Sequence, residues 1–476
     1  MAMKQVDSSA LSLKTRDSMK DLLSRLSVSY QLLRNPKLGR DNIVCFQNTQ
    51  LRRLISHAYE NVPYYRRLFD QNRIEPNDIQ SVADLSIIPI TSKKDLQSLP
   101  PEDLVAQGLN PKGLIAHRTS GSSGEPFTIR HGWLERRILF LFRLRAMLYH
   151  GQISTDRVAS IGLLRPLDPN DDRIITQILQ AMHLYRRVRI NRLLPPEKIL
   201  SVLRHYRPDI LTGSPGVLSR VAQILDHEDR PLVKLRSIRV NGEVLTPTMR
   251  RQITEAFKVP VFDTYGSHEF SLIAWECIKT GELHTCDDSV IVEIVKDGHP
   301  AATGERGEVV GTNLHSFAMP FIRYRLGDIV TKGLETCRCG QPFSTIRAIQ
   351  GRMLDYFPLP HGRMIHPYEI SLLFIDAPWL RQYQLTQERE DLVVLRVVPH
   401  GTPTTQELAE LVESVIPILG KDVEFKVTLV PEIPLEATGK FRVSRSLVRS
   451  AYDGIDWEKP ETGNPRPIGS NEKEPD

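Results

Sequence analysis

The chain reads His117-Arg118-Thr119-Ser120-Gly121-Ser122-Ser123-Gly124-Glu125-Pro126-Phe127-Thr128 between two apolar segments, so glycine and hydroxyl side chains dominate this stretch. Glycine lets a backbone turn sharply and approach a ligand closely. Consecutive N–H groups in such a turn form a concave anion site, to which hydroxyls add donors. The stretch therefore indicates a phosphate-binding turn, although such stretches are also common in ordinary turns. It is not a Walker A loop, because no Gly-Lys-Ser or Gly-Lys-Thr follows the glycines.

Apolar segments that suit strands alternate with helical segments downstream of this turn. We predict strands at residues 158–164, 209–212, 235–240 and 259–262, and helices at 174–182, 217–225 and from 247 onward. This alternation predicts a mostly parallel, layered α/β sheet. Because ligands bind beyond the carboxyl ends of such strands, the candidate site segments are Gly213-Ser214-Pro215, Asn241-Gly242-Glu243 and Asp263-Thr264-Tyr265-Gly266-Ser267-His268-Glu269.

A different pattern follows residue 352. Strands are predicted at 391–398 and 423–430, and a helix behind a capping box of Thr404 and Glu407. These elements predict a small α+β domain at 352–455, behind a large domain at 1–351 whose first 40 residues form a helical appendage. Residues 456–476 are rich in Pro, Gly, Glu and Lys and poor in apolar side chains, which predicts a disordered tail.

Composition limits the classes of function. The 476 residues are 40% hydrophobic and 25% charged, with a formal net charge of +5 that is spread along the chain. The chain has no long run of basic residues, so its charge pattern does not suggest nucleic-acid binding. No apolar run approaches the roughly 20 residues that cross a bilayer, and the N-terminus lacks a signal-peptide core. We therefore expect a cytoplasmic protein without a membrane span.

Five motifs occur in a specific order: the Gly/Ser turn, Tyr-Gly-x-x-Glu at 265–269, Arg-x-Gly-Asp at 325–328, Gly351-Arg352, and Gly439-Lys440. This order resembles the adenylate-forming superfamily of acyl-CoA synthetases and adenylation domains. More narrowly, the chain looks like the phenylacetate–CoA ligases and their capsule-biosynthesis-associated relatives over roughly residues 50–450. The resemblance implies an α/β fold with a large layered N-terminal adenylate-forming domain and a small, mobile C-terminal α+β lid domain.

The resemblance also implies binding sites for ATP or AMP and for Mg²⁺. The residues implied to hold the ATP phosphates are Ser120, Gly121, Ser122, Ser123 and Gly124. Tyr265, with Gly266 and Ser267, would contact the adenine, and Gly242 and Glu243 would lie beside the adenine and the acyl pocket. Asp328 would accept both ribose hydroxyls, Arg352 would reach the same sugar or the phosphate, and Glu269 would hold Mg²⁺. Lys440 would move in with the small domain and bond the carboxylate and α-phosphate oxygens.

The activity implied is an ATP-dependent, AMP-forming acid–thiol ligase that acts on an aromatic or other compact carboxylic acid, with coenzyme A as the acceptor. One alternative acceptor is a carrier protein or an amine, for which the unusual hinge Met353-Leu354-Asp355 leaves room. A degenerate, non-catalytic adenylate-binding protein is a second alternative, and the presence of Lys440, Glu269 and Asp328 argues against it. The identity of the acid and the oligomeric state stay open.

A cluster of thiols and an imidazole predicts a structural zinc site. Five cysteines are too few for a disulfide framework in a chain of this length. Zinc takes four thiolate or imidazole ligands in a tetrahedron, and similar segments occur in the phenylacetate–CoA ligase branch. The predicted ligands are Cys277, His284, Cys337 and Cys339, with Cys286 in reserve. The alternative is a set of small buried side chains in a reducing compartment.

Overall fold

The computed structural model describes residues 30–31, 34–118, 127–162, 186–225, 235–352, 357–365, 367–374, 377, 379–434 and 441–448, with the backbone alone at 118, 352, 362, 364, 368 and 372. The predicted helix at 174–182, most of the N-terminal appendage and the tail at 456–476 lie outside these residues. None of the helices in the described ranges is both long and apolar enough to cross a membrane.

The helices and strands have the following bounds. The α-helices are α1 (Arg40–Asn61), α2 (Pro63–Asn72), α3 (Lys93–Gln97), α4 (Pro101–Leu104), α5 (Trp133–Tyr149), α6 (Pro196–Tyr206), α7 (Pro215–Ile224), α8 (Pro247–Phe257), α9 (Tyr368–Leu373) and α10 (Thr405–Leu419). Short 3-10 helices occupy Asn35–Lys37, Pro76–Asp78, Val82–Ile87, Pro111–Gly113 and Pro360–Gly362. The strands are β1 (Ile115–Arg118), β2 (Thr128–His131), β3 (Val158–Gly162), β4 (Arg187–Asn191), β5 (Ile210–Gly213), β6 (Ser237–Asn241), β7 (Val261–Tyr265), β8 (Ala274–Glu276), β9 (Leu283–Thr285), β10 (Val290–Lys296), β11 (His299–Pro300), β12 (Arg306–Asn313), β13 (Tyr324–Lys332), β14 (Thr345–Arg352), β15 (Phe357–Pro358), β16 (Met364–Ile365), β17 (Leu380–Arg389), β18 (Leu392–Pro399), β19 (Glu424–Leu429) and β20 (Ser444–Ser446).

A large sheet runs through most of the chain. Within the described ranges it contains twelve strands in the order β11-β10-β12-β13-β14-β9-β8-β7-β6-β5-β3-β4. The five strands from β7 to β4 in this order are parallel to one another. Helices α6, α7 and α8 connect them, as a parallel sheet requires, since its strands need crossover connections.

The expectation of a mostly parallel sheet was wrong for the remaining strands, β8 to β14, which pair antiparallel. Short turns replace crossover helices in this part of the chain. Asp297 and Gly298, for example, both have positive φ (50° and 78°) and join β10 directly to β11. Two positive φ values are typical of the tight hairpin turn that matches the twist of antiparallel strands.

Helix α8 begins where the sequence predicts. Thr246 accepts a hydrogen bond on Oγ1 from the Met249 N–H at 3.2 Å, and Pro247 occupies the first helical position. A hydroxyl cap and a proline at this position both suit the unpaired N–H groups of a first turn. The helix buries Ile253 and Phe257 against the parallel strands.

A second sheet of four described strands has the order β19-β18-β17-β20 and packs with α9 and α10 around its own core, which includes Phe374, Leu395 and Val415. The predicted capping box is present, because Thr404 and Glu407 each bind the other's backbone N–H. Val398 of this sheet packs in an apolar cluster with Met249 of α8 and with Phe441, which joins the second sheet to the large domain.

Candidate active site

A tight turn follows β7 and carries the predicted Tyr-Gly-x-x-Glu motif. The Ser267 carbonyl oxygen accepts from the Ser271 N–H at 2.9 Å, and Ser267 Oγ accepts from the Phe270 N–H at 3.2 Å. A Cβ at Gly266 would lie 2.0 Å from the Ser271 carbonyl oxygen. Because no side chain fits there, glycine at this position allows the turn to close and fixes Tyr265 beside it.

Tyr265 and Asp328 meet although 63 residues separate them. The Tyr265 hydroxyl donates to Asp328 Oδ2 at 2.6 Å, and Tyr265 is only 8% exposed. Asp328 lies directly opposite Arg352 in the pairing of β13 with β14. The structure therefore brings the aromatic residue, the carboxylate and the backbone of the Gly351-Arg352 step to one place.

Glu269 lies on the same turn as Tyr265. Its side chain is buried, and its Oε1 accepts from the Tyr324 hydroxyl at 3.4 Å. The Asn313 side-chain amide donates to the Glu269 carbonyl oxygen at 2.8 Å, which anchors the end of the turn. A carboxylate at this position is a suitable ligand for Mg²⁺, which prefers oxygen.

Glu243 connects the large sheet to the segment after Lys440. Gly242 turns the chain at the end of β6 with a φ of +79°. The Glu243 carboxylate then accepts from the Gly216 N–H at 3.0 Å and from the Phe441 N–H at 3.2 Å. This contact with Phe441 could not be predicted from any local motif, because it depends on how the two sheets pack together.

Gly216 is required for the same contact. A Cβ at this position would lie 2.1 Å from Phe441 Cβ and 2.9 Å from Glu243 Oε2. The first turn of α7 therefore accepts Phe441 only because residue 216 has no side chain. Lys440 itself lies outside the described residues, but the residue that follows it is held against the end of β6.

The Gly/Ser stretch, with Ser120, Gly121, Ser122, Ser123 and Gly124, also lies outside the described residues. Its flanking strands β1 and β2 pair antiparallel, with Arg118 opposite Thr128. His117 on β1 stacks on His268 with ring centroids 5.7 Å apart, and His131 Nε2 lies 3.1 Å from the His268 carbonyl oxygen. The hairpin that leads into the Gly/Ser stretch is thus packed against the turn that carries Tyr265 and Glu269.

Two buried carboxyls near the site have raised pKa values. Burial raises the pKa of Asp263 to about 7, with the Glu276 carboxylate adding to the rise and Arg250 opposing it. Burial likewise raises the pKa of Glu308 to about 7, although Arg325 pairs with it at 3.0 Å. These carboxyls hold their protons more tightly than ordinary acids, as expected where water is excluded.

The four predicted zinc ligands converge. One donor atom from each of Cys277, His284, Cys337 and Cys339 lies within 4.8 Å of the other three. Thiolates around a tetrahedral zinc are separated by about 3.8 Å, given a zinc–sulfur bond of about 2.3 Å. The four donor atoms would therefore need to move only slightly closer together to bind zinc.

Surrounding groups orient the cluster. The Cys339 N–H donates to Cys337 Sγ at 3.5 Å, and the Tyr149 hydroxyl lies 3.4 Å from Cys277 Sγ. Burial lowers the pKa of His284 to about 4, so this imidazole is neutral at pH 7, as a metal ligand must be. Cys286, the reserve candidate, is outside the cluster and accepts a hydrogen bond from Arg145 at 3.1 Å.

Comparison with known proteins gives consistent matches. A family model described as the CapK C-terminal domain matches residues 358–446. The phenylacetate-coenzyme A ligase of Thermus thermophilus is 26% identical over 373 residues, which cover 74% of this chain and 80% of that enzyme. Protein CapK of Staphylococcus aureus is 23% identical over 420 residues, which cover 85% of this chain and 89% of that protein.

Solved structures match the fold. The 2-hydroxyisobutyryl-CoA ligase in its postadenylation state has a TM-score of 0.73 at 22% identity, over 88% of this chain and 92% of that one. The same ligase in its thioesterification state has a TM-score of 0.59 at 20% identity, over 87% and 91%. The predicted fold class, a large N-terminal α/β domain with a C-terminal domain, is confirmed. The chain is therefore similar in sequence to phenylacetate–coenzyme A ligases and to protein CapK, and similar in fold to 2-hydroxyisobutyryl-CoA ligase.

Proposed function

We propose that this protein activates a carboxylic acid with ATP and transfers the acyl group to the thiol of coenzyme A. One observation carries the proposal: Tyr265 and Glu269 from one motif and Asp328 from another lie close together, beside the hairpin that leads into the Gly/Ser stretch. The sequence relatives named as phenylacetate–coenzyme A ligases support the same reaction class.

The first half-reaction makes the acid reactive. A carboxylate oxygen forms a bond to the α-phosphorus of ATP as the bond from that phosphorus to the pyrophosphate oxygen breaks, which yields an acyl-adenylate and pyrophosphate. Such a transfer requires mainly positioning and neutralisation of charge. In our proposal Tyr265 packs on the adenine, Asp328 accepts from the ribose hydroxyls, and Arg352 reaches the same sugar or the phosphate.

Charge neutralisation falls to three groups in this proposal. The N–H groups and hydroxyls from Ser120 to Gly124 hold the β- and γ-phosphates, and Lys440 bonds the carboxylate and α-phosphate oxygens. Glu269 holds Mg²⁺, which when bound withdraws negative charge from the phosphates. Phe441, held by Glu243, positions the segment that carries Lys440.

The second half-reaction transfers the acyl group. The thiol of coenzyme A loses its proton to solvent and its sulfur attacks the acyl carbonyl carbon, while the bond to the AMP oxygen breaks and AMP leaves with the electron pair. A carrier-protein thiol or an amine would react in the same way, and the test below includes both acceptors.

We propose further that Cys277, His284, Cys337 and Cys339 hold a structural zinc ion. The fit of their donor atoms within 4.8 Å supports this assignment. A closed set of four protein ligands leaves no position for a substrate, so the ion would join two loops of the large domain without taking part in the reaction.

Two domains fit the proposal, a large one at 1–351 and a lid at 352–455, followed by a tail at 456–476. The strand β14 ends the large sheet at Arg352, and the CapK C-terminal model begins six residues later, at 358. Movement of the lid between the half-reactions would bring Lys440 to the adenylation site and then withdraw it.

The proposed function is tested by acid-dependent exchange between ATP and labelled pyrophosphate. Purified protein is assayed with a panel of carboxylic acids, and active acids are then offered coenzyme A, an acyl carrier protein or hydroxylamine. We expect exchange with at least one acid and a coenzyme A thioester as the product. If exchange occurs but the acyl group passes only to carrier protein or hydroxylamine, then coenzyme A is not the acceptor. ATP binding without exchange would indicate a non-catalytic adenylate-binding protein.

A further inference from the structure

One face of the parallel strands, called the basic face below, carries a polar row with an arginine at each end; Val158 and Ile210 lie on the same face. The pairing of the strands aligns Arg189, Ser160, Thr212 and Arg239 in a continuous row across β4, β3, β5 and β6. Residues in one row of a parallel sheet point to the same side, and alternate residues along a strand do so too. Arg187 therefore shares this face with Arg189.

The opposite face of the same strands is apolar. Ile161, Ile190 and Val240 lie on it and pack against α6, α7 and α8. The contrast matters because both faces of a parallel sheet are ordinarily covered and apolar. Arginines in a row on such a sheet are therefore unusual and suggest a function for their charge.

Helix α5 lies over the basic face and begins at the candidate active site. Just before the helix, His131 lies against the His268 carbonyl oxygen at the site. Just after it, His150 stacks on Phe262 with ring centroids 4.4 Å apart, and Gln152 accepts from the Arg239 guanidinium. Phe262 pairs with Arg239 across β7 and β6, so it belongs to the same row. Helix α5 therefore runs from the candidate site to the part of the basic face that holds Arg239 and Phe262.

Arginines concentrate where α5 meets the basic face, since Arg143 of the helix acts on both Arg187 and Arg239. Arg239 is 4% exposed, and its Nε has no hydrogen-bond partner among the described residues. Arg143 on α5, Arg187 and Arg189 keep contact with solvent. The pKa of Arg239 is lowered to about 10, mainly by burial and also by the positive charges of Arg187 and Arg143. The negative charge of Asp156 opposes this effect only in part. Asp156 already pairs with Arg236 at 2.5 Å.

We propose that the acid activated here carries a second anionic group, a carboxylate or a phosphate, which Arg143, Arg189 and Arg239 bind. The inference rests on the proposed function and narrows its substrate class. Arg239 lies two residues before Asn241 at the carboxyl end of β6. At about 3.3 Å per residue, the second anion lies roughly 7 Å or more from the carboxylate that is activated.

An acid with an apolar tail suits the neighbourhood of these arginines poorly. Placing it there would remove water from several guanidinium groups and supply no opposite charge, and the burial of an unpaired charge is costly. A second anionic group would instead accept charge-assisted hydrogen bonds from them.

The test compares matched pairs of acids in pyrophosphate exchange: hexanoate with adipate, phenylacetate with 1,4-phenylenediacetate, and glycerate with 3-phosphoglycerate. The last pair distinguishes a phosphate from a carboxylate as the second group. We expect the wild type to favour at least one doubly anionic member by kcat/KM. Arg189→Gln and Arg143→Gln should each raise the KM for that member about 10- to 100-fold, the range of a hydrogen bond to a charged group.

Controls separate recognition from folding. Arg189→Lys should retain part of the preference, and Arg389→Gln, which removes a surface ion pair with Asp391 on the second sheet, should change nothing. Exchange that favours hexanoate, phenylacetate and glycerate and does not respond to Arg189→Gln would overturn this inference and leave the ligase proposal standing. Exchange with none of the six acids, nor with the wider panel, would remove both.

Discussion

Asp263 shows how a single buried carboxyl links stability to pH. Its pKa is raised to about 7 in the folded protein, against about 4 in an unfolded chain. A raised pKa means that the folded state binds the proton more tightly. The favourable contribution is therefore complete below pH 4 and is lost as the pH rises towards 7. The charged groups that act on Asp263 are Glu276 on β8 and Arg250 on α8.

The substitution Asp263→Asn should remove this dependence. We expect the variant to gain stability relative to the wild type between pH 4 and pH 7, by about 1–4 kcal/mol at pH 8. Urea unfolding of both proteins at a series of pH values measures the difference. A difference that is constant from pH 4 to pH 8 would show that Asp263 titrates as an ordinary acid.

Single residues also show what the sequence can and cannot predict about the site. Tyr265, Glu269 and Asp328 were predicted because each belongs to a short contiguous motif, and the contact between Tyr265 and Asp328 agrees with one common site. The contact of Glu243 with Phe441 joins residues 198 positions apart and belongs to no motif. Packing between two sheets determines it, and a single sequence does not encode such packing in any local pattern.

Among the elements, the parallel strands and their helices were predicted well. Periodicity alone located β5, β6, β7 and α8, because each is a short apolar run or an amphipathic face bounded by turn residues. The antiparallel strands β8 to β14 were not predicted, since several are short and lie between tight turns rather than helices. The basic row on the parallel strands was also missed, because it appears only when the register of four strands is known.

The loops that contribute Cys277, His284, Cys337 and Cys339 provide a prediction at the scale of elements. Cys337→Ser should abolish stoichiometric zinc in the purified protein and lower the midpoint of thermal unfolding, because a structural zinc site contributes directly to folding. Inductively coupled plasma mass spectrometry gives the zinc content and calorimetry gives the midpoint. Cys45→Ser is the matched control, since Cys45 is exposed and lies outside the cluster. Wild-type protein that contains no zinc after purification without chelators would refute the assignment.

At the scale of the whole molecule, the placement of the second sheet on the first is the feature that matters for function. Met249, Val398, Ile433 and Phe441 form an apolar cluster between them, and Arg381 donates to Gln223 of α7 at 3.0 Å. The chain matches the postadenylation state of 2-hydroxyisobutyryl-CoA ligase better than its thioesterification state, with TM-scores of 0.73 and 0.59. This placement holds the segment after Lys440 at the end of β6.

Gly216→Ala should disturb this placement. The added Cβ would lie 2.1 Å from Phe441 Cβ, so Phe441 must move away from Glu243. We expect pyrophosphate exchange to fall about 10- to 100-fold, because a small displacement of a reacting group has effects of this size. The midpoint of unfolding should change little.

Gly113→Ala is the control for the effect of a new methyl group, since a Cβ at that position meets no described atom within 4 Å. Normal exchange by Gly216→Ala would mean that adenylation does not need Phe441 in this position.

The most direct test of the central claim, that these separate segments assemble one adenylation site, is the rate of acid-dependent pyrophosphate exchange in the Lys440→Ala variant. The account predicts a loss of at least about 100-fold, as expected when a group that stabilises transition-state charge is removed, with an unchanged unfolding midpoint. Lys421→Ala, which removes an exposed lysine from the same small domain, should exchange at the wild-type rate. Undiminished exchange by Lys440→Ala would contradict the account.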